Sequence, residues 1–361
     1  MDFTLLSNFA IVTGIYKKDK NMFAITKRSP QKGVWQEDVA ELAPVGPNDV
    51  KVKVTHVGIC GTDFHIYKWN DWAKQRIKPP LTIGHEFVGE IVEVGDQIER
   101  FKVGMRVSAE CHIVCKVCKF CRTGRAHICQ DTEIIGVDRD GAFAEYVTVP
   151  ATNIWPVHED IPDHHAAIFD PFGNAMHAVM SEPIAGKSVL VTGAGAIGLM
   201  SIAIARSFGA RHITVLEPLG YKRNLAKTLG ADIVVDPTTP EGLEIAKNAE
   251  PAEILLEMSG SEKAIHTGLD LLENGGTAVM MGIPGKPIQL DLGEHFIFRG
   301  LNMKGVIGRK MYENWYQVED FMRTNPEAVE TCITHILPKE DFQKGFEMME
   351  EGSCAKIVLK F

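Results

Sequence analysis

Alternating hydrophobic and polar residues predict β-strands in the first part of the chain. The run "VKVKVTHVGI" (50–59) alternates valine with lysine, and "FVGEIVEVG" (87–95) follows a similar pattern. A period of two places one set of side chains on a buried face and the other on a polar face. An earlier segment, "MFAITKRSPQKGVWQEDVAEL", begins at Met22 and predicts a first strand with its polar turn. The first part is therefore expected to be rich in β-structure.

The pattern changes at about residue 174. The run "KSVLVTGAGAIGLMSIAIARSFGARHITVLE" (187–217) contains an apolar strand, a glycine-rich turn, a helix with apolar residues at helical spacing, and a second strand. Further strand candidates are "ADIVVD", "AEILLEMSG", "GTAVMMGIP" and "NMKGVIG". Six strands that alternate with helical stretches predict a doubly wound parallel sheet, so the fold class is α/β.

The glycine-rich turn predicts a dinucleotide site. Gly193 makes the tight turn, Gly195 lets a pyrophosphate approach the backbone, and Gly198 lets the helix pack closely. Glu217 ends the next strand, where a carboxylate accepts the ribose hydroxyls of NAD and repels the extra phosphate of NADP. Lys222 follows one turn later with an adjacent arginine, so some use of NADP stays open.

Length and composition indicate an ordinary globular protein. The chain has 361 residues, of which 45% are hydrophobic and 24% charged, so two domains are expected. A net charge of −9 argues against a nucleic-acid partner, and no apolar stretch is long enough to predict a membrane span. Residues 1–21 lack the pattern of a signal peptide and are interpreted as an N-terminal extension. A reducing, cytoplasmic location is therefore expected.

Four cysteines lie within fifteen residues. Cys115, Cys118, Cys121 and Cys129 have the spacing C-x2-C-x2-C-x7-C, which lets one loop place four thiolates around a tetrahedral zinc ion. Neighbouring lysines and arginines offset the negative charge of the thiolates. Two alternatives are four unligated cysteines and an iron–sulfur cluster. The pattern favours a closed structural zinc site.

A second group of residues predicts an open metal site. Cys60, His85 and Glu86 supply a thiolate, an imidazole and a carboxylate, and the strands that flank them would hold these ligands rigidly. The alternative is a structural cysteine beside a surface histidine. Thr62 and His65 follow Cys60 and can pass a proton from a hydroxyl to solvent. Taken alone, they are better interpreted as a turn residue and a surface imidazole.

Four stretches carry a family resemblance: "CGTDFHIYKWNDW", "GHEFVGEIVEVG", "AIFDPFGNAMHAV" and "IGRKMYENWY". From Met22 to Phe361 the chain resembles the zinc-dependent medium-chain dehydrogenases. The resemblance implies a GroES-like catalytic domain over 22–173, a Rossmann domain over 174–312, and a segment over 313–361 that returns to the catalytic domain. It also implies two zinc ions per subunit and a homotetramer.

The resemblance further implies oxidation of the threonine side-chain hydroxyl, with NAD as hydride acceptor. It assigns Cys60, His85 and Glu86 as ligands of the catalytic zinc, and Thr62 with His65 as the proton relay. It places Asp170 beside the metal, where we expect the carboxylate to serve the relay without coordinating zinc. The remaining coenzyme contacts that it implies are Ile197, Glu217, Lys222, Met281, Gly282, Ile283, Val306 and Ile307.

Several alternatives stay open at this point. His112, just before the cysteine loop, is expected to help recognise the substrate, but it also fits a surface turn histidine. A polyol or diol dehydrogenase on the same scaffold is the nearer alternative function. A non-catalytic NAD-binding zinc protein is the remote one.

Overall fold

The computed structural model of the chain describes residues 21–40 and 42–361. The interpretation of residues 1–21 as an extension lies outside the described residues, except that Asn21 already belongs to the first strand. No helix in the described part of the chain is long and apolar enough to cross a membrane.

The first part of the chain is built mainly from short strands, as predicted. The strands are β1 (Asn21–Lys27), β2 (Trp35–Ala40), β3 (Asp49–Ile59), β4 (Leu81–Thr82), β5 (Glu86–Val94), β6 (Arg106–Ala109), β7 (His112–Ile113), β8 (Glu133–Ile134), β9 (Tyr146–Pro150) and β10 (Ile154–Pro156). The helices are α1 (Gly61–Lys68), α2 (Asp71–Arg76), α3 (Lys119–Arg122), α4 (Asp163–Ala166) and α5 (Phe169–Val179). The runs 50–59 and 87–95 form β3 and β5, which pair antiparallel.

The glycine-rich turn opens a six-stranded parallel sheet. Its strands are β11 (Ser188–Thr192), β12 (His212–Leu216), β13 (Ile233–Val235), β14 (Ala252–Glu257), β15 (Leu272–Met280) and β16 (Asn302–Gly305). The intervening helices are α6 (Ala196–Ser207), α7 (Gly220–Thr228), α8 (Pro240–Asn248) and α9 (Glu262–Asp270). The strand order β13-β12-β11-β14-β15-β16 is that of the Rossmann fold and confirms the predicted doubly wound sheet.

The last part of the chain returns to the first sheet. It contains α10 (Glu313–Thr324), α11 (Pro326–Cys332), β17 (Ile333–Pro338), α12 (Phe342–Glu351) and β18 (Lys356–Lys360). β18 pairs antiparallel with β3, and β17 continues that sheet at its edge. The predicted boundary between residues 173 and 174 falls inside α5, which runs without interruption. The domain limits otherwise stay a prediction.

Two large apolar cores match this division of strands. One core packs α5, α6 and α10 against the parallel sheet, and Trp315 and Phe172 lie at its centre. The other fills the interior of the first sheet, where Val52, Phe87 and Phe346 are fully buried or nearly so. α5 belongs to the first core and also carries Asp170, and Val88 and Trp155 from the first part of the chain join the same core.

Candidate active site and metal centres

The structure brings together the three residues predicted to form an open metal site. Cys60 follows the last residue of β3 and caps the N-terminus of α1, while His85 immediately precedes β5 and Glu86 begins it. Their ligand atoms all lie within 4.8 Å of one another. Cys60 is half-buried, and His85 and Glu86 are buried. This donor set leaves positions for a substrate group on the metal, as catalytic zinc sites do.

The surroundings of these residues are strongly negative. Burial alone would lower the pKa of His85, but the charges of Cys60 and Asp63 raise it to about 10. Asp63 is fully buried, and its Oδ2 accepts a hydrogen bond of 2.9 Å from the backbone N–H of Cys60. Its Oδ1 lies 3.7 Å from His85 Nδ1, which is longer than a hydrogen bond. A buried site with this much negative charge fits a divalent cation.

Lys356 supplies a buried positive charge that sequence analysis missed. Its side chain is 2% exposed, its ammonium contacts Glu86 Oε2, and it donates a hydrogen bond of 2.8 Å to the carbonyl oxygen of Ile59. Glu86 Oε1 has no hydrogen-bond partner among residues 21–40 and 42–361. One carboxylate oxygen is therefore held by lysine, and the other stays available to a metal.

Thr62 and His65 lie on α1, three residues apart and so on neighbouring positions of one helix face. Thr62, two residues after Cys60, is half-buried, and His65 is exposed. Burial and the nearby Lys68 lower the pKa of His65, which keeps the ring neutral near pH 7. His65 Nδ1 lies 3.0 Å from Asn70 Nδ2. A neutral imidazole in this position can accept a proton.

Asp170 takes part in a buried ion network that sequence analysis did not find. Arg309 is 1% exposed, and its Nη2 lies 2.6 Å from Asp170 Oδ2 and contacts Glu110 Oε1 as well. The indole N–H of Trp315 donates to Glu110 Oε2 at 2.8 Å. Asp170 also contributes to the raised pKa of His85, so its charge acts on the metal site. The arginine holds Asp170 through an ion pair.

His112 belongs to the same network. It is half-buried, and its Nδ1 lies 3.0 Å from Glu110 Oε1, which also accepts a hydrogen bond from the His112 backbone N–H. A methyl group added at Gly308 would lie 3.3 Å from His112 Cε1, so the ring packs closely on the segment that follows β16. The alternative interpretation, a surface turn histidine, does not fit this position, because the ring contacts a buried carboxylate.

The four clustered cysteines converge as predicted. Their sulfur atoms lie within 4.8 Å of one another, with 3.5 Å between Cys115 and Cys129 and 3.9 Å between Cys118 and Cys129. Thiolates about 2.3 Å from a tetrahedral zinc ion lie about 3.8 Å apart. Hydrogen bonds from the backbone N–H groups of Cys121 and Gln130 lower the pKa of Cys118 to about 6. This geometry fits a closed zinc site.

The glycine-rich turn leaves room for a phosphate group. Gly193 adopts φ +87°, and a methyl group added at Gly198 would lie 2.0 Å from the carbonyl oxygen of Gly193. A methyl group at Gly195, which caps α6, would meet nothing within 4 Å. The start of α6 is therefore open beside Gly195, and the N-terminus of a helix is a favourable place for a pyrophosphate. Ile197 lies half-buried in the first turn of this helix.

Glu217 lies beside this turn, directly after β12. It is 5% exposed; its Oε2 accepts a hydrogen bond of 2.7 Å from Ala194 N–H and its Oε1 one of 2.9 Å from Leu219 N–H. Lys222 is half-buried on the first turn of α7. The other predicted coenzyme contacts follow the neighbouring strands: Met281, Gly282 and Ile283 after β15, and Val306 and Ile307 after β16. Parallel strands bring all of these to one edge of the sheet.

Two family profiles match the chain. One is described as an alcohol dehydrogenase GroES-like domain and covers residues 46–159; the other is described as a zinc-binding dehydrogenase and covers residues 196–324. A curated protein named L-threonine 3-dehydrogenase, from Caldanaerobacter subterraneus subsp. tengcongensis, is 44% identical over 347 residues, which span 94% of this chain and 99% of the relative. This chain belongs to the zinc-binding dehydrogenase family.

Solved dehydrogenase structures are similar over nearly the whole chain. One from Sinorhizobium meliloti, with bound NADP, is 28% identical with a TM-score of 0.84, over 94% of this chain and 99% of that one. The 2R,3R-butanediol dehydrogenase of Bacillus subtilis is 26% identical with a TM-score of 0.84, over the same shares. Membership of this dehydrogenase family confirms the predicted fold class and the predicted cofactors, zinc and a nicotinamide dinucleotide.

The buried arginine gives a first prediction. Arg309→Met should lower the free energy of unfolding by about 3–5 kcal/mol, because it leaves Glu110 and Asp170 buried without a counter-charge. Lys310→Met is the matched control, since that side chain is 40% exposed, and it should change stability by less than about 0.5 kcal/mol. Urea denaturation measures both values.

The free energy of unfolding that Arg309→Met loses should depend on pH. Burial alone would raise the pKa of Glu110, but Arg309, His112 and Trp315 lower it to about 2. A lowered pKa contributes stability above the unfolded value of about 4.3, and this stability is lost as pH falls toward 2. The difference between Arg309→Met and the wild type should therefore shrink between about pH 4 and pH 2. A deficit that does not change over this range would contradict the assignment of the charge pair.

Proposed function

We propose that the chain oxidises the side-chain hydroxyl of L-threonine to give L-2-amino-3-oxobutanoate, with NAD as hydride acceptor. The open donor set of Cys60, His85 and Glu86 supports the proposal most strongly, since it occurs in a chain 44% identical to a protein named L-threonine 3-dehydrogenase. In this proposal those three residues hold the catalytic zinc, and the cluster of four cysteines holds the structural zinc.

The residues around the metal site take a proton from the substrate. When bound, zinc supplies a positive charge that lowers the pKa of a hydroxyl placed beside it. The Thr62 hydroxyl accepts the hydroxyl proton and passes it to the neutral His65, which is exposed and releases it to water. Asp170, held by Arg309, contributes negative charge near His85 without leaving its ion pair.

The edge of the parallel sheet holds and orients the coenzyme. When bound, NAD supplies the nicotinamide carbon that accepts hydride. Gly193, Gly195, Ile197 and Gly198 receive the pyrophosphate at the start of α6. Glu217 and Lys222 face the adenosine ribose, and the segments Met281–Ile283 and Val306–Ile307 hold the nicotinamide half. His112, bonded to Glu110 next to Arg309, contacts the amino-acid part of the substrate.

Activity and zinc content test the proposal together. We expect the zinc-loaded protein to form NADH with L-threonine, and Cys60→Ala to lose at least about 100-fold in kcat/KM and one zinc ion per subunit, because the variant lacks the thiolate ligand. Cys332→Ala is the matched control, since Cys332 is a buried thiol of the apolar core, and it should keep both the activity and the zinc.

The two alternative functions predict different results in the activity assay. A diol dehydrogenase would turn over 2,3-butanediol or sorbitol and leave L-threonine untouched; the similarity to the Bacillus subtilis butanediol dehydrogenase motivates this comparison. A non-catalytic zinc protein would bind NAD and give no turnover with any of these substrates even when replete with zinc. Either result would overturn L-threonine as the substrate.

Glu217 should determine the choice between NAD and NADP. We expect Glu217→Gln to reduce the ratio of kcat/KM for NAD to that for NADP by at least tenfold, because the neutral amide no longer repels a 2′-phosphate. Glu257 ends β14, so Glu257→Gln would disturb the sheet and is not a suitable control. Glu241→Gln is the control, because Glu241 lies on the exposed start of α8. An unchanged ratio in Glu217→Gln would contradict the role of the carboxylate.

We also propose the domain division 22–173, 174–312 and 313–361, a cytoplasmic location and a homotetramer. Beside the edge strand β16, several large apolar side chains are exposed: Leu292, Ile297, Phe298 and Met303. Such a patch favours self-association.

Light scattering tests the oligomer. The wild type should have four times the mass of the 39.9 kDa chain, and Phe298→Asp, which puts a charge into the apolar patch, should reduce that mass. Val103→Asp, exposed far from β16 in the sequence, is the control. A monomeric wild type would exclude the tetramer.

A further inference from the structure

A second group of metal-binding side chains lies outside the active site. His164 and His165 on α4 converge with Glu330 on α11, and each histidine Nε2 lies 2.8 Å from the same carboxylate oxygen, Glu330 Oε2. The three ligand atoms lie within 4.8 Å of one another. We propose that His164, His165 and Glu330 form a third site, for a divalent transition-metal ion such as Zn²⁺.

The donor set suits such an ion. Two imidazole nitrogens and one carboxylate oxygen are ligands that zinc accepts readily, and imidazole favours zinc, copper and nickel over magnesium and calcium.

An ion can reach these side chains from solvent. The Glu330 side chain is 56% exposed and that of His164 is 26% exposed, whereas His165 is 4% exposed and lines the inner wall. One face of the group is therefore open for water to complete the coordination. Asp163, the neighbouring carboxylate, is engaged by Arg106 and by the hydroxyl of Thr55 and does not belong to the group.

The competing explanation is a pair of hydrogen bonds without metal. In that case both rings must carry their proton on Nε2 and donate to a single oxygen. His165 Nδ1 is buried and lacks a hydrogen-bond partner among the described residues. Both explanations use Nε2, so this atom does not distinguish between them. The two explanations differ in the number of metal ions bound per subunit. Only the metal site predicts a third equivalent, and the experiment measures that number.

A metal at this position would connect two parts of the chain. α4 lies just before α5, which carries Asp170, and α11 belongs to the returning C-terminal segment. Since 165 residues separate His165 from Glu330, an ion that binds only the folded arrangement stabilises it by mass action. Zinc should therefore raise the melting temperature beyond the effect of the two other zinc sites.

Calorimetric titration with Zn²⁺ tests the site on full-length protein already loaded with two zinc ions per subunit. We expect one additional equivalent in the wild type, no such equivalent in His164→Ala, and at least tenfold weaker binding in Glu330→Gln. His158→Ala is the matched control, because His158 is another surface histidine, 35% exposed and paired with Asp160. The control should bind the third equivalent as the wild type does.

Two results would overturn the site: no third equivalent in the wild type, or a third equivalent that His164→Ala leaves unchanged. A rise in melting temperature with Zn²⁺ that is equal in the wild type and in His164→Ala would also contradict it. His164 is partly exposed and lies outside the other metal clusters, so His164→Ala should keep both of the first two zinc ions and its activity. Failure of this proposal is therefore distinguishable from failure of the proposed function.

Discussion

The register between β3 and β5 determines where the three proposed metal ligands lie. Gly58 pairs with Glu86, so Cys60, two residues later, and His85, one residue earlier, are brought to the same end of the sheet. A side chain at position 58 is impossible without rearrangement, because an added Cβ would lie 2.1 Å from Glu86 Oε2. A slip of one residue along β5 would turn Glu86 to the opposite face of the sheet. The site therefore depends on strand pairing before it depends on any metal.

The two buried cations extend this constraint to the rest of the chain. β18 pairs with the other edge of β3, which places Lys356 against Glu86, and Arg309 follows β16 and reaches both Asp170 and Glu110. Removing a charge from water costs several kcal/mol, and a correctly placed partner offsets that cost. The C-terminal strand and the segment after β16 thus must be in place before the carboxylates of the site can be buried.

Local signals predicted the strands β3 and β5, the glycine turn and the four-cysteine cluster, because each depends on residues close together in sequence. The open ligand set joins Cys60 to residues 25 positions later, and the family resemblance assigned it. Lys356 and Arg309 gave no such signal: 297 residues separate Lys356 from Ile59, and 199 separate Arg309 from Glu110. A single sequence does not show which buried carboxylate a distant cation will face. The boundary predicted at 173/174 falls within α5 for a related reason, since a composition change need not coincide with the end of a helix.

The closed cysteine cluster and the open site are connected through β7. His112 begins β7, which pairs with β8, and these two short strands enclose the loop that carries the four cysteines. Two pairs of residues alone would hold β7 and β8 weakly, since isolated two-stranded ribbons are marginal in water. A metal bound by the cysteines fixes the loop between them. Metal at the closed site would thereby stabilise the position of His112 beside Glu110, and in the proposed function His112 contacts the substrate.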